Sequence, residues 1–240
     1  LPLIWPPPPE RPPPGRVRVQ FLDVGQGLAV VVHTHQHHLL FDTGPALGPD
    51  FDAGQAAILP YLYQSHVNRL HTLIISHWHA DHSGGLSSLL AEIEVDRQLA
   101  GPPRDGAAPD ALAGQTFQSC QAGQHWRWDE VSFTVLYPPA GAMPDKLNNS
   151  SCVLLIEAGG QRVLLTGDIE ESAERWLLAN AADNLQSDVL QAPHHGSRSS
   201  STPAFVKAVS ARWVIMSAGY RNRFDHPHQD IVERYQQHGA

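Results

Sequence analysis

No run of apolar residues in this 240-residue chain approaches the roughly 18 to 20 that a membrane-crossing helix needs. Cysteine is nearly missing as well, with Cys120 and Cys152 as the whole complement. Two thiols make no disulfide framework. They are either buried free thiols or one optional bridge, and as sequence they decide nothing about compartment. Positive charge is scarce: 16 Lys and Arg against 24 Asp and Glu leave a net charge of −8. That balance argues against a surface that holds nucleic acid through a broad basic field. Bound divalent metal would reverse it locally. No internal repeat is visible, and the first residues lack the basic flank of a signal peptide.

What is present suffices for one sizeable domain, with a hydrophobic content of 42%. We expect that domain over residues 16–240. Residues 1–15, dominated by proline, have the composition of a stiff polyproline linker leading from a preceding domain. A disordered tail is compatible with the same composition.

Periodicity then sets out the elements. Alternation over 17–23 reads as a strand ending at Asp23, and 28–33 with 38–42 as a hairpin. Residues 55–67 read as a helix and 70–76 as a strand. The Gly-, Pro-, Ala- and Gln-rich stretch 101–128 reads as an irregular excursion. Strands follow at 131–137, 152–157 and 161–166, the last two joined by a Gly159-Gly160 turn. A helix over 170–180, a strand at 188–191, a helix at 202–210, a strand at 213–217 and a helix at 229–237 complete the chain. Strand-rich halves interleaved with helices imply an α/β fold, a layered sandwich of two mixed sheets with helices outside.

The chemistry sits after the apolar run Leu73-Ile74-Ile75. There Ser76-His77-Trp78-His79-Ala80-Asp81-His82-Ser83-Gly84-Gly85 places three imidazoles and a carboxylate at one turn. Such a donor set suits zinc, or manganese if more oxygens join. A polar loop with chance histidines seldom gives this order behind a buried strand. Two other strands end in ligand types: Leu164-Leu165-Thr166-Gly167-Asp168, and the stretch before Pro193-His194-His195-Gly196-Ser197. An Asp at position 168 can bridge two ions, and Gly167 permits a close approach. Asp23, closing the first strand, is a candidate to orient a ligand histidine.

Other histidines carry less. His33, His35, His37 and His38 fit the solvated face of a hairpin that closes at Asp42. His226, in Asn222-Arg223-Phe224-Asp225-His226-Pro227-His228, is a candidate phosphate contact, with a helix-start loop as the equal alternative. Ser197 to Ser200 offer donors suited to an anion at a helix start. Arg198 and Arg223 are the cations expected near phosphate.

His-x-His-x-Asp-His, the strand-final Gly-Asp and the later His-Gly together resemble the metallo-β-lactamase superfamily. More narrowly, 21–27 (Phe-Leu-Asp-Val-Gly-Gln-Gly), 147–155 and 193–197 are similar to the C-terminal hydrolase domain of the ComEC/Rec2 family of DNA-uptake channels. The resemblance implies a four-layer αββα sandwich with two divalent ions, manganese or zinc, at one edge. It implies His77 and His79 as ligands of the first metal, Asp81 and His82 as ligands of the second, and Asp168 as the bridge. His195 is favoured as the last ligand of the second metal, with His194 left for a substrate phosphate. Asp81, Asp168, His194 and His226 are the residues expected to act in catalysis. One departure stands out: many members carry a further histidine where this chain has Asn148, Asn149, Ser150 and Ser151. The first metal is then either weakly held or bound with water or an amide oxygen, and fewer nitrogen donors shift preference toward manganese.

The function so implied is a metal-dependent phosphodiesterase, a nuclease degrading the non-transported DNA strand during natural transformation. Its partners are the DNA substrate and the membrane channel portion of the same full-length protein. The domain is expected to be extracytoplasmic, on the periplasmic side, tethered by its proline-rich start, and monomeric when isolated. Two other readings stay open. One is hydrolysis of a small phosphodiester, and the other is a catalytically weakened domain that guides DNA.

Overall fold

The computed structural model describes residues 10–103, 116–142 and 144–240. Its first half supplies β1 (Arg18–Phe21), β2 (Val30–His33), β3 (His38–Phe41), β4 (Arg69–Leu70), β5 (Thr72–Ile75), β6 (Glu94–Val95), β7 (Gln98–Ala100) and β8 (Gln118–Ser119). The second half supplies β9 (His125–Trp128), β10 (Val131–Tyr137), β11 (Val153–Ala158), β12 (Gln161–Leu165), β13 (Val189–Gln191) and β14 (Trp213–Ile215). The helices are α1 (Leu59–Gln64), α2 (Ala80–Ser83), α3 (Leu86–Glu92), α4 (Glu171–Asn180), α5 (Pro203–Val209) and α6 (Gln229–Gln237).

Two six-stranded sheets result, in the orders β1-β2-β3-β5-β7-β8 and β14-β13-β12-β11-β10-β9. Each is antiparallel over its hairpins and parallel where a helix makes the crossover. Consecutive side chains on a strand face opposite ways, so a strand buried on both faces feeds two cores. Leu39, Phe41 and Ile74 pack between the sheets against Phe133, Leu154, Ile156 and Leu165. Their neighbours Leu40, Leu73 and Ile75 turn outward onto Ile58, Leu62, Leu86 and Leu89. On the far side Leu155, Leu164 and Leu190 meet Leu177, Phe205 and Ile231 from α4, α5 and α6. Three cores between four layers make the αββα sandwich that the resemblance implies.

Several boundaries differ from expectation. The helix expected over 55–67 opens as a wide π turn over Gly54–Ile58 and ends at Gln64. The stretch 101–128, expected to be irregular, contributes β8 and β9, while 104–115 lie outside the described residues. Trp126 of β9 stacks on Phe133 of β10 with centroids 5.2 Å apart, and that cross-strand contact fixes the edge. Of the expected linker, 1–9 lie outside the described residues. Cys120 and Cys152 form a disulfide with Cα atoms 5.8 Å apart, fastening the exit of β8 to the entry of β11. Of the two states open to these thiols, the bridge is the one formed.

Parallel β3, β5, β12 and β13 all point their C-terminal ends to one edge. Asp42, His77, Asp168 and His195 follow those strands, and such an edge is where sites form in open α/β sheets.

Candidate metal centre

The centre begins at the exit of β5. Ser76 donates its backbone N–H to Asp42 Oδ1 at 2.6 Å and its hydroxyl to Asp42 Oδ2 at 2.7 Å. His82 Nδ1–H donates to the same Oδ2 at 2.7 Å, so Nε2 of His82 faces the site. Ser76 Oγ, having given its proton away, accepts from His77 Nδ1 at 3.1 Å. His77 Nε2 is then a buried acceptor with no partner. Two glycines follow the motif because nothing larger fits: a Cβ on Gly84 would overlap Ala46 N and Ala80 O.

The second sheet brings the rest. Gly167, at φ +56°, leaves so little room that a Cβ would stand 2.8 Å from that of Ser76. Asp168 follows, its N–H held by Ser151 Oγ at 3.1 Å, and its buried side chain sets Oδ1 3.1 Å from His82 Nε2. His195 donates Nδ1–H to Ser217 O at 2.6 Å, which turns its Nε2 toward His82 Nε2, 3.2 Å away. Asp81 Oδ2 and Asp168 Oδ2 lie 3.5 and 3.4 Å from the same nitrogen. Donor atoms of Asp81, His82, Asp168 and His195 fall within 4.8 Å of one another, the one such group among the described residues.

The electrostatics suit a cation. Burial opposes charge on His82 and His195. The carboxylates overcome it, with Asp168 foremost, raising His82 well above its ordinary value and His195 to about 9. Burial would raise Asp81, yet its hydrogen bond to His195 and the charge of His82 bring it down to about 2. The carboxylates thus favour positive charge at these imidazoles, the charge that a divalent ion would bring. The residues fit a divalent ion: Asp81, His82, Asp168 and His195 would hold it. His77, buried, packs on His82 and has the exposed His79 ring 4.7 Å from its own. Asn148, standing in the stretch without the further histidine, keeps its Oδ1 buried and unpartnered at the same cleft.

That cleft, about 620 Å³, is lined by His79, Asp81, Asn148, Asp168, His194, His195, Arg223 and His226 among others. His194 and His195 are both left-handed, at φ +48° and +55°, a strained pair of the kind that collects at functional sites. Ser199 holds His194 Nδ1 at 2.9 Å, and His194 Nε2 lies 3.9 Å from Asp168 Oδ2. Burial, then the charges of His194 and His195, push His226 down to about 4, so it meets the cleft as a neutral ring.

Some expectations require correction. Asp23 is exposed and accepts only from Gly25 N–H at 3.2 Å; Asp42 is the carboxylate that orients a ligand histidine. His33 is buried, not solvated, between Tyr61 OH and His38 Nδ1, each at 2.9 Å. His35, His37 and His38 are partly buried at the same hairpin, which closes at the strand ends opposite Asp42. Arg198 pairs with Asp230 at 3.0 Å and does not line the cleft, whereas Arg223 does. The serines of 197–200 brace the His194 backbone and ring. Gln191 carries no signal in sequence, yet its buried amide accepts from Thr166 N–H and Gly167 N–H, each at 2.8 Å, and so shapes the turn before Asp168.

An αββα sandwich with clustered histidines and aspartates at the shared strand edge defines a metal-binding hydrolase fold. The chain belongs to the metallo-beta-lactamase superfamily, whose model matches residues 22–212. Competence protein ComA of Neisseria gonorrhoeae is 38% identical over 96% of this chain and 31% of its own length. ComE operon protein 3 of Bacillus subtilis is 32% identical, over 92% and 30%. Recombination protein 2 of Haemophilus influenzae is 34% identical, over 90% and 26%. These are ComEC-family proteins, and the chain spans about a third or less of their length. Among solved structures, YhfI of Bacillus subtilis shares the fold at TM-score 0.54 and 14% identity, covering 92% of this chain and 93% of that one. The subclass B3 enzyme MEM-A1, from a soil metagenome library, shares it at TM-score 0.52 and 19% identity, covering 79% and 82%.

Proposed function

We propose that this chain is a two-metal phosphodiesterase that cleaves DNA, the hydrolase part of a longer DNA-uptake protein. One observation carries the reading: His77 Nε2 and Asn148 Oδ1 are buried acceptors without partners, beside the four-residue donor cluster. Buried polar atoms are rarely left so, and a cation would satisfy both. Divalent ions bound there would acidify a water and take up charge on phosphoryl oxygens.

The chain's own groups supply the rest. Asp42 and Ser217 fix the tautomers of His82 and His195. Asp81, ionised at the cleft wall, would offer its carboxylate to the metal. His194, His226 and Arg223 face the space where phosphate oxygens would lie, and Arg223 is the one Lys or Arg among the described residues lining the cleft. No nucleophilic side chain is required.

Setting follows from the relatives and from the disulfide. Cys120–Cys152 supports an oxidising compartment, in keeping with a domain on the periplasmic side of the inner membrane. In this reading residues 1–15 are the tether, 16–240 the hydrolase domain, and the channel portion of the same protein its partner. The isolated domain would be a monomer. Degradation of the non-transported strand during transformation extends this reading; the name of the competence protein ComA supports the competence setting alone.

A small phosphodiester is the competing substrate, favoured by the modest cleft and by the net charge of −8. Metal-free protein restored with manganese or with zinc separates the two. Cleavage of single- or double-stranded DNA supports the nuclease. Turnover of bis(p-nitrophenyl) phosphate with intact DNA moves the assignment to the small ester.

A further inference from the structure

Two large aromatic side chains are left exposed on one loop that reaches the cleft. Tyr220, 88% exposed, and Phe224, 45% exposed, belong to the loop between β14 and α6, whose Arg223 and Phe224 line the cleft. That loop is built, not slack. Asn222 donates its amide to Gly219 O at 2.9 Å and His226 O at 2.5 Å, and its Oδ1 accepts from Phe224 N–H and His226 N–H, both at 3.1 Å. Gly219 N–H donates to Gln26 Oε1 at 3.1 Å, fastening the loop to the first sheet. Arg221 and Asp225 take left-handed backbone, at φ +52° and +56°, to make its bends.

The rings form a series that runs outward from the metal centre. His226 lies nearly parallel to His195, with centroids 6.4 Å apart and planes at 26°. Phe224 stacks on His226 at 5.6 Å and 23°. The Arg223 guanidinium covers the Phe224 ring at 4.7 Å, and Arg221 covers Tyr220 at 5.2 Å. Aromatic rings capped by guanidinium planes are the surface on which unpaired bases stack, while the same cations meet the flanking phosphates. A chain with net charge −8 lacks the broad field that grips duplex DNA, so affinity must come from local contacts of this kind.

We infer that the loop of Tyr220, Arg221, Arg223 and Phe224 is a base-stacking subsite that selects single-stranded nucleic acid, holding bases beside the scissile phosphate. The inference rests on the phosphodiesterase reading of the cleft. A paired base offers its face only to its neighbours in the helix, so duplex DNA reaches the subsite only at frayed ends.

The test is equilibrium binding of a fluorescein-labelled single-stranded oligothymidylate and of an abasic strand of equal length. Asp168→Ala protein serves as the non-cleaving parent, with DNA cleavage by the unmodified chain measured alongside. The parent should hold the base-bearing strand on the order of tenfold or more tighter than the abasic one. Tyr220→Ala with Phe224→Ala should erase that preference, and Phe224→Trp, which keeps the stacking face and the packing on His226, should retain it. Equal binding of the two strands by the parent, or a preference untouched by the double change, overturns the inference and leaves the patch to a protein contact. If the unmodified chain cuts no DNA while the base preference is present and lost in the double variant, the hydrolase reading fails and the stacking subsite stands.

Discussion

Asp42 has one carboxylate oxygen on Ser76 N–H, while the other accepts from the Ser76 hydroxyl and from His82. Ser76 in turn accepts from His77, so one buried carboxylate sets the imidazoles of both His82 and His77. Asp42→Asn keeps the shape and turns one acceptor into a donor facing Nδ1 of His82. Metal affinity should fall on the order of 10- to 100-fold with the fold retained, read by metal titration and thermal unfolding. Unchanged affinity would remove Asp42 from the centre. Asp23→Asn, at an exposed turn, should leave metal binding as it is.

At the scale of elements, the β2–β3 hairpin stores a pH dependence. Burial, then the charges of His38 and Arg18, lowers His33 to about 3, so the folded chain keeps this ring neutral. An unfolded chain protonates it near 6.5. Between those values the unfolded state binds more protons, and stability falls as pH falls, by about 1.4 kcal/mol per pH unit for one group. Urea unfolding at neutral and mildly acid pH should therefore show a smaller acid loss in His33→Gln than in the parent. The difference between the two isolates His33 from His82 and His195, whose raised values act in the opposite sense. Equal slopes would mean that His33 is not held neutral.

The same hairpin shows what a sequence can and cannot carry. Alternation gives the face of a strand but not what covers it, and His33 is covered by Tyr61 from α1. Elements with strong periodicity are legible to the residue: β10 over Val131–Tyr137 and α6 over Gln229–Gln237, where Ile231 and Tyr235 recur at helical spacing. β8 and β9 are not: both are short edge strands, and β8 takes its pairing from β7, well before it in the chain. Of the site, the contiguous ligands are legible because strand, turn and donor set lie in one stretch. Asp42 and Gln191 act through partners 25 to 40 positions away, and only folding reveals that pairing.

For the whole molecule, Cys120–Cys152 is a covalent tie between the two sheets, closing a separation of 32 residues. Reduction, or Cys120→Ser with Cys152→Ser, should cost about 2–4 kcal/mol of stability and lower the unfolding midpoint. A midpoint indifferent to reductant would show that the tie adds nothing to the packing of the sheets. Cys152 also follows Ser151, which holds Asp168 N–H, so the bridge closes directly behind the metal centre.

The central claim is that the two sheets assemble a two-metal phosphodiesterase at their shared edge. The most direct measurement titrates metal-free protein with manganese, following bound ions and DNA cleavage together, with Asp168→Ala beside it. The account predicts two ions bound, cleavage that rises with the second equivalent, and none in Asp168→Ala. Two ions bound without cleavage, or full cleavage in Asp168→Ala, would contradict it.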